Sequence, residues 1–227
     1  MVIKAVVFDL DGTLADFNLD YKAVRTEVRS LIMKAGVAPS ILEPNESIFE
    51  MLKKARIVLR NSGKSEEDVG TISRQALSIA DEYEMDAART TSLKPGVNEI
   101  LKTLREMHLK IGLFTINSRR SANRILKRFR LSAFFDAVIP RNAVNLVKPN
   151  AEHLQVTLEA LGANPHETLV VGDSVSDMEC AREVKAIAVG LPTGFFSFRD
   201  LSSSGANYMI TSLMDLPILI GRLNRDK

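Results

Sequence analysis

Two aspartates follow a short apolar run near the start of the chain, in Val6-Val7-Phe8-Asp9-Leu10-Asp11-Gly12-Thr13. Side chains at i and i+2 of an extended backbone point the same way, so Asp9 and Asp11 are expected to converge at the end of a strand. Two like charges about 4 Å apart repel by roughly 4 kcal/mol at an effective dielectric near 20. Such a pair therefore indicates a bound cation or a reaction that uses both carboxylates.

A second acidic loop has the same form, in Val170-Val171-Gly172-Asp173-Ser174-Val175-Ser176-Asp177. Asp173 is expected at a strand tip, and Asp177 in the first turn of a helix that starts near Val175. Alone, this segment would more often be a turn with a helix cap. Beside Asp9 and Asp11, it supplies the carboxylate oxygens that Mg²⁺ prefers, so we expect a magnesium site formed by both loops.

Two further loops could bind a phosphate. Thr115 ends an apolar run and is followed by Asn117-Ser118, so a hydroxyl and backbone N–H groups are expected where a helix begins. Asn117 or Ser118 could also simply cap that helix. Lys148 lies in a loop and would be interpreted alone as a surface lysine. Together with the carboxylates, it is a candidate cation that balances their charge and that of an incoming phosphate dianion.

The elements that must position these residues alternate along most of the chain. Helical periodicity lies between the later apolar runs, and this alternation predicts right-handed crossovers and a parallel sheet covered on both faces. The expected fold class is α/β, with a doubly wound, mostly parallel, Rossmann-like sheet. The apolar runs that predict its strands are 2–8, 109–115, 136–139, 168–172, 186–190 and 207–210.

Residues 15–91 show helical periodicity only. We therefore predict an α/β core made of residues 1–14 and 92–227, with an all-α cap domain of residues 15–91 inserted directly after the first acidic loop. Ligands of open α/β sheets bind at the carboxyl ends of the strands, so a helical insertion there is best interpreted as a lid. The alternative is a separate helical domain that does not contact the site.

Composition limits the possible partners. The chain has 227 residues, a net charge of +2 and 45% apolar residues, and neither the helical segment nor the remainder is strongly basic, which argues against nucleic-acid binding. No apolar run reaches the length that a bilayer span requires. The single cysteine, Cys180, is expected to be a small buried apolar residue and fits a reducing compartment. We expect a cytoplasmic monomer or homodimer without a membrane partner.

The four loops, in this order, resemble the motifs of the haloacid dehalogenase-like hydrolase superfamily. The matching residues are Asp9-Leu10-Asp11-Gly12-Thr13, Thr115, Lys148-Pro149 and Gly172–Asp177. The tail 190–210, with its phenylalanine-rich loop, is similar to the phosphoglycolate phosphatase-like branch. The resemblance implies a Rossmann-like core, a helical cap between the first and second motifs, and Mg²⁺ as the cofactor.

The resemblance also implies a role for each acidic residue. Asp9 would be the nucleophile, forming an aspartyl-phosphate, and a ligand of Mg²⁺. Asp11 would protonate the leaving group and then activate water, while its backbone carbonyl binds the metal. Asp173 would bind Mg²⁺, supported by Asp177. In the loop after the second strand, the resemblance implies that Thr115 holds the phosphoryl oxygens.

By the same resemblance, Lys148 would neutralise charge and orient the nucleophile. Asn117, two residues after the threonine, is included among the phosphate-binding residues. The predicted activity is Mg²⁺-dependent hydrolysis of a small phosphorylated metabolite, of the phosphoglycolate, sugar phosphate or nucleotide type. The acid at position 11 argues against dehalogenation, because the dehalogenases of this superfamily lack an acid at that position.

Two alternatives remain open at this point. One is a phospho-accepting signalling module similar to response-regulator receivers, and the other is a sugar-phosphate mutase of the same superfamily. Mutase relatives have a histidine early in the cap. Here the histidines are His108, His153 and His166, all outside residues 15–91, and they are expected to be surface or packing residues.

Overall fold

Six short apolar runs become the strands of one parallel sheet in the computed structural model, which describes residues 2–16 and 18–225. The strand order is β3-β2-β1-β4-β5-β6, and every neighbouring pair is parallel. The prediction of a doubly wound, mostly parallel sheet is confirmed. The strands are β1 (Ala5–Phe8), β2 (Lys110–Thr115), β3 (Ala137–Pro140), β4 (Thr168–Gly172), β5 (Ile187–Gly190) and β6 (Tyr208–Met209).

Burial explains why the central strands are continuously apolar. Every residue of β1 and β4 is buried, as expected for strands with both faces covered by helices. At the edge, β6 has only two residues, one exposed and one half-buried. A short edge strand offers few unpaired backbone groups to other chains.

The strands are joined by helices whose apolar faces cover the sheet. On the first of these, Val97, Ile100, Leu101 and Leu104 form one buried stripe at helical spacing. The helices that accompany the sheet are α4 (Val97–Glu106), α5 (Arg119–Arg128), α6 (Ala151–Leu161), α7 (Val175–Glu183), α8 (Phe198–Ser203) and α9 (Leu216–Arg225).

Helix α8 was not predicted, because the segment between the strands expected at 186–190 and 207–210 was interpreted as a phenylalanine-rich loop. Ser197 and Asp200 form a capping box that starts this helix. A serine followed three residues later by an acid is a sequence signal of a helix start.

The chain divides into two compact units, Met1–Phe17 with Thr90–Lys227 and Asn18–Arg89. We call the first the α/β unit and the second the helical unit. The helical unit contains α1 (Tyr21–Lys34) and α2 (Ile48–Asn61), and most of α3 (Glu66–Thr90). It has a hydrophobic core of its own, to which these helices contribute Val28, Met51 and Ala76 among others. Within the described ranges, no helix is both long enough and apolar enough to cross a bilayer.

The topology of the sheet determines where a ligand can bind. From β1 the chain proceeds to β2 and β3 on one side and then returns to β4 on the other side of β1. Doubly wound sheets bind ligands outside the carboxyl ends of the strands at such a reversal. Phe8 of β1 lies opposite both Leu113 of β2 and Val171 of β4. The residues that follow these three positions therefore lie along one edge of the sheet.

Candidate active site

Three buried carboxylates lie together where the strand order reverses. Asp9 directly follows β1, Asp173 directly follows β4, and Asp177 lies in the first turn of α7. One carboxylate oxygen from each residue lies within 4.8 Å of those of the other two, and all three residues are buried. The structure thus brings together three of the four predicted metal-binding aspartates.

Lys148 is buried among these carboxylates. Its Nζ lies 2.5 Å from Asp9 Oδ1, 2.7 Å from Asp177 Oδ1 and 3.4 Å from the carbonyl oxygen of Phe114. A lysine ammonium has three N–H donors, so these three acceptors can use all of them. The ammonium also lies 4.1 Å from the centroid of the Phe114 ring. Lys148 is therefore a buried and fully hydrogen-bonded cation.

Negative charge exceeds positive charge in this cluster. If all three carboxylates were ionised, one ammonium would leave two negative charges uncompensated. Burial raises the pKa of Asp9 to about 6, although Lys148 opposes the shift. Burial, reinforced by the charges of Asp9 and Asp177, raises the pKa of Asp173 to about 8. One divalent cation would balance the charge, and carboxylate oxygens are the donors that Mg²⁺ prefers, so the residues fit this metal.

The position of Asp177 is fixed from two sides. The backbone N–H and the hydroxyl of Ser174 donate to Asp177 Oδ2 at 3.1 and 2.6 Å, while Lys148 donates to Oδ1. These contacts combine a helix capping box with an ion pair. Burial disfavours the charge on Lys148, but Asp177 and Asp9 outweigh it and raise the pKa of the lysine above its usual value. Asp177 therefore orients the cation and keeps it charged.

Two loops approach the Asp173 carboxylate closely at glycine positions. A Cβ at Gly12 or at Gly194 would overlap the Asp173 carboxylate. Thr13 Oγ1 donates to Asp173 Oδ1 at 3.3 Å, and Thr193 Oγ1 donates to the carbonyl of Gly12 at 2.5 Å. Sequence reasoning missed Thr193 and Gly194. The available signal was a Thr-Gly pair shortly after β5, at the same edge of the sheet as the acidic loops.

The loop after β2 is ordered around Thr115 and Asn117. Thr115 is the last residue of β2 and is buried, and its Oγ1 accepts the backbone N–H of Asn117 at 3.1 Å. Ser118, not Asn117, caps α5. The buried Arg141 donates its own N–H to the Asn117 carbonyl at 3.1 Å and its guanidinium to the Ile116 carbonyl at 3.0 Å. Sequence reasoning also missed Arg141, since no sequence signal separates a buried arginine from the many exposed ones.

Asp11 lies in the turn after β1 and is half-buried. Strand β1 ends at Phe8, within the apolar run 2–8 that predicted it, so Asp9 and Asp11 both follow the strand. The convergence of their two side chains stays a prediction. In the described part of the chain, the group of clustered carboxylates does not include Asp11. The role that the resemblance assigned to it at the metal used its backbone carbonyl, not its carboxylate.

Comparison with known proteins agrees with this geometry. Residues 6–190 match the family described as haloacid dehalogenase-like hydrolase, and the chain belongs to this family. The predicted family, and the predicted class of enzyme within it, are confirmed.

The chain is similar to a phosphoglycolate phosphatase from Pseudomonas putida, with 27% identity over 217 residues, which cover 94% of this chain and 78% of that one. It is also similar to the pyrophosphatase PpaX from Halalkalibacterium halodurans, with 29% identity over 228 residues, 97% of this chain and 98% of that one. The crystal structure of a hydrolase from Pseudomonas syringae has the same fold, with a TM-score of 0.68 and 24% identity, and the match covers 97% of this chain and 99% of that one.

Proposed function

We propose that this protein is a Mg²⁺-dependent phosphatase that hydrolyses a small phosphorylated metabolite through a phosphoryl group carried on Asp9. The observation that carries the proposal is the buried Asp9 carboxylate, with Lys148 Nζ 2.5 Å away and two further buried aspartates beside it. A carboxylate kept in this position can attack phosphorus, and splitting one displacement into two lowers the barrier of each.

The two steps need one nucleophile and one proton carrier. In the first step, an oxygen of Asp9 bonds to phosphorus, the bond from phosphorus to the leaving oxygen breaks, and Asp11 gives that oxygen a proton. In the second step, Asp11 takes a proton from water, the water oxygen bonds to phosphorus, and the bond to Asp9 breaks. Inorganic phosphate leaves, and both aspartates return to their initial state. The half-buried position of Asp11 supports its proposed contact with both leaving group and water.

The remaining residues bind and orient the phosphoryl group. Lys148 holds Asp9 in place and offsets its charge, and Thr115 with the backbone N–H groups beside Asn117 would receive the phosphoryl oxygens. Asp9 and Asp173, with the backbone carbonyl of Asp11, would hold Mg²⁺. The metal, when bound, would supply the positive charge that lets a dianion approach these carboxylates.

We further propose that the helical unit is the cap of this site. Its residues are inserted between the Asp11 loop and α4, and the chain enters and leaves the α/β unit at adjacent points, where the Asp16 N–H donates to the Ser92 carbonyl at 2.8 Å. A cap would exclude water from the reacting atoms. The names of the relatives differ between phosphoglycolate and pyrophosphate, which are both small anionic phosphates. The receiver-like module and the mutase are not favoured by these relatives.

The decisive experiment measures turnover of p-nitrophenyl phosphate with Mg²⁺ by wild type, Asp9→Asn and a matched control, Asp68→Asn. Asp68 is an exposed acid of α3 that accepts a hydrogen bond from Ser65. We expect steady turnover by wild type and the control, and none by Asp9→Asn or in EDTA. A single stoichiometric phosphorylation without turnover would contradict the proposal and support the receiver-like module. A panel with phosphoglycolate, pyrophosphate, sugar phosphates and nucleoside monophosphates then identifies the substrate class.

A further inference from the structure

His153 is buried next to the active-site lysine, although the sequence suggested only a surface or packing residue. It is the third residue of α6 and has no exposed surface. Its Nδ1 lies 3.4 Å from the backbone nitrogen of Lys148, and its Nε2 lies 2.9 Å from the carbonyl oxygen of Ile139 in β3. The imidazole thus joins the lysine loop to a strand of the sheet.

The two partners determine where the ring carries its proton. The Lys148 backbone N–H is a donor, so Nδ1 must accept and carry no proton. The Ile139 carbonyl is an acceptor, so Nε2 must donate. A doubly protonated ring would direct an N–H at the N–H of Lys148. Burial, together with the charge of Lys148, lowers the pKa of His153 to about 4, and the neutral ring is therefore the stable form near neutral pH.

A second path connects His153 with the charged end of the same lysine. The rings of His153 and Phe114 meet edge to face, with centroids 5.6 Å apart and an interplanar angle of 68°. The Lys148 ammonium lies over the Phe114 ring and contacts the Phe114 carbonyl. His153 therefore supports the backbone of Lys148 directly and its ammonium through Phe114.

This support matters because the segment that carries the lysine is irregular. Residues 144–150, between β3 and α6, form no helix or strand. Lys148 Nζ must nevertheless hold two carboxylates at 2.5 and 2.7 Å. A displacement of about 1 Å in an active-site group can lower a rate by roughly 10²-fold.

We propose that His153 is a positioning residue that fixes Lys148 against Asp9, through its Nδ1 bond to the lysine backbone and its contact with Phe114. The inference rests on the proposed function only for its kinetic consequence. The hydrogen bond and the tautomer can be measured without any substrate.

Three variants of His153 distinguish the contribution of Nδ1 from that of Nε2. Asn at position 153 can place an acceptor near Nδ1, Gln can place a donor near Nε2, and Leu can do neither. We expect His153→Leu to lower kcat about tenfold with KM nearly unchanged, the size expected when one hydrogen bond to a working group is lost. His153→Asn should recover most of the loss, and His153→Gln should not. The exposed His166 provides the control, since His166→Leu should leave kcat unchanged.

Hydrogen exchange at the Lys148 amide tests the contact itself. We expect faster exchange in His153→Leu than in wild type, and slower exchange again in His153→Asn. A His153→Leu variant that is only less stable, with wild-type kcat and unchanged exchange at Lys148, would overturn the proposal in favour of plain packing. Equal behaviour of the Asn and Gln variants would also overturn it.

If the variants do not fold, the nitrogen chemical shifts of the wild-type His153 imidazole still test the proposed tautomer. We expect the neutral ring with its proton on Nε2, and a ring protonated on Nδ1 at neutral pH would overturn the proposal. Should wild type fail to hydrolyse any phosphate while the Lys148 amide is protected through His153, the proposed function fails and the positioning contact stands.

Discussion

The charges of the helical unit and those of the active site are arranged in opposite ways. In the helical unit, Arg60 and Glu66 form a pair whose side chains are 48% and 72% exposed. In the site, Lys148 is 4% exposed and contacts Asp9 and Asp177, which are 8% and 0% exposed. An exposed ion pair is screened by water and contributes little to stability. A buried cluster with unbalanced charge destabilises the folded state unless a further ion compensates that charge. The burial of charged side chains, rather than their number, therefore identifies the part of this chain that is suited to catalysis.

Removing one lysine from each region should sharpen this contrast most. Lys148→Met leaves three buried carboxylates without their cation, so we expect turnover to fall by roughly 10³-fold or more. The free energy of unfolding should fall by about 3–5 kcal/mol, the usual cost of breaking a buried pair. Lys54→Met removes a lysine that pairs with Glu46 at 2.5 Å in the helical unit and should leave turnover unchanged. Steady-state kinetics and urea unfolding measure both effects, and similar losses in the two variants would break the comparison.

Within the site, Asp11 and Asp173 should separate proton transfer from metal binding. Asp11→Asn removes the proposed acid and should lower kcat by roughly 10²–10⁴-fold, with Mg²⁺ affinity nearly unchanged. Asp173→Asn removes a proposed oxygen ligand of Mg²⁺ and should weaken Mg²⁺ binding by at least roughly tenfold. Calorimetric titration of Mg²⁺ beside kinetics checks both. Comparable loss of rate and metal affinity in Asp11→Asn would show that its main role is at the metal.

The buried acids should also make the metal-free protein sensitive to pH. The pKa values of Asp9 and Asp173 are raised from 3.8 to about 6 and about 8, so the folded state binds protons more tightly than the unfolded state. Stability therefore falls as pH rises through this window. In EDTA, we expect a lower thermal midpoint at pH 8 than at pH 5.5, and Mg²⁺ should stabilise the protein more at the higher pH. Asp173→Asn should flatten the profile, and an unchanged slope in that variant would contradict the assignment.

The sequence predicted the parts of this molecule that depend on local pattern. Apolar runs located the six strands, and the acidic loops located Asp9, Asp173 and Asp177, because a polar residue at the end of a buried strand is a strong local signal. Asn150 caps α6 directly after the Lys148 loop, and an asparagine before a helical pattern is such a local signal. Strand β1 ends at Phe8 and the turn at Gly12 has a positive φ of 86°, so the approach of the Asp11 side chain to Asp9 stays a prediction.

Residues that act through partners distant in the sequence could not be predicted. Thr193 contacts Gly12 across 181 positions, and Arg141 reaches the Ile116 carbonyl from the turn that follows β3. His153 is within five positions of Lys148, yet its role depends on Ile139 and Phe114 of two neighbouring strands. A single sequence contains no local signal for such contacts, which follow from the strand order of the sheet.

The smallest expected effect comes from the exposed pair that opened the comparison. Arg60 Nε lies 2.6 Å from Glu66 Oε1, a closer approach than some contacts in the site. Glu66 raises the pKa of Arg60, and Arg60 lowers the pKa of Glu66. Both groups are nevertheless exposed, so water solvates either one when its partner is removed. We expect Arg60→Ala and Glu66→Ala to leave kcat and the unfolding midpoint unchanged within error, in contrast to Lys148→Met. If Arg60→Ala raised KM for phosphorylated substrates while Glu66→Ala did not, Arg60 would be a substrate-binding residue, and the distinction between a solvated helical unit and a reactive α/β edge would have to be redrawn.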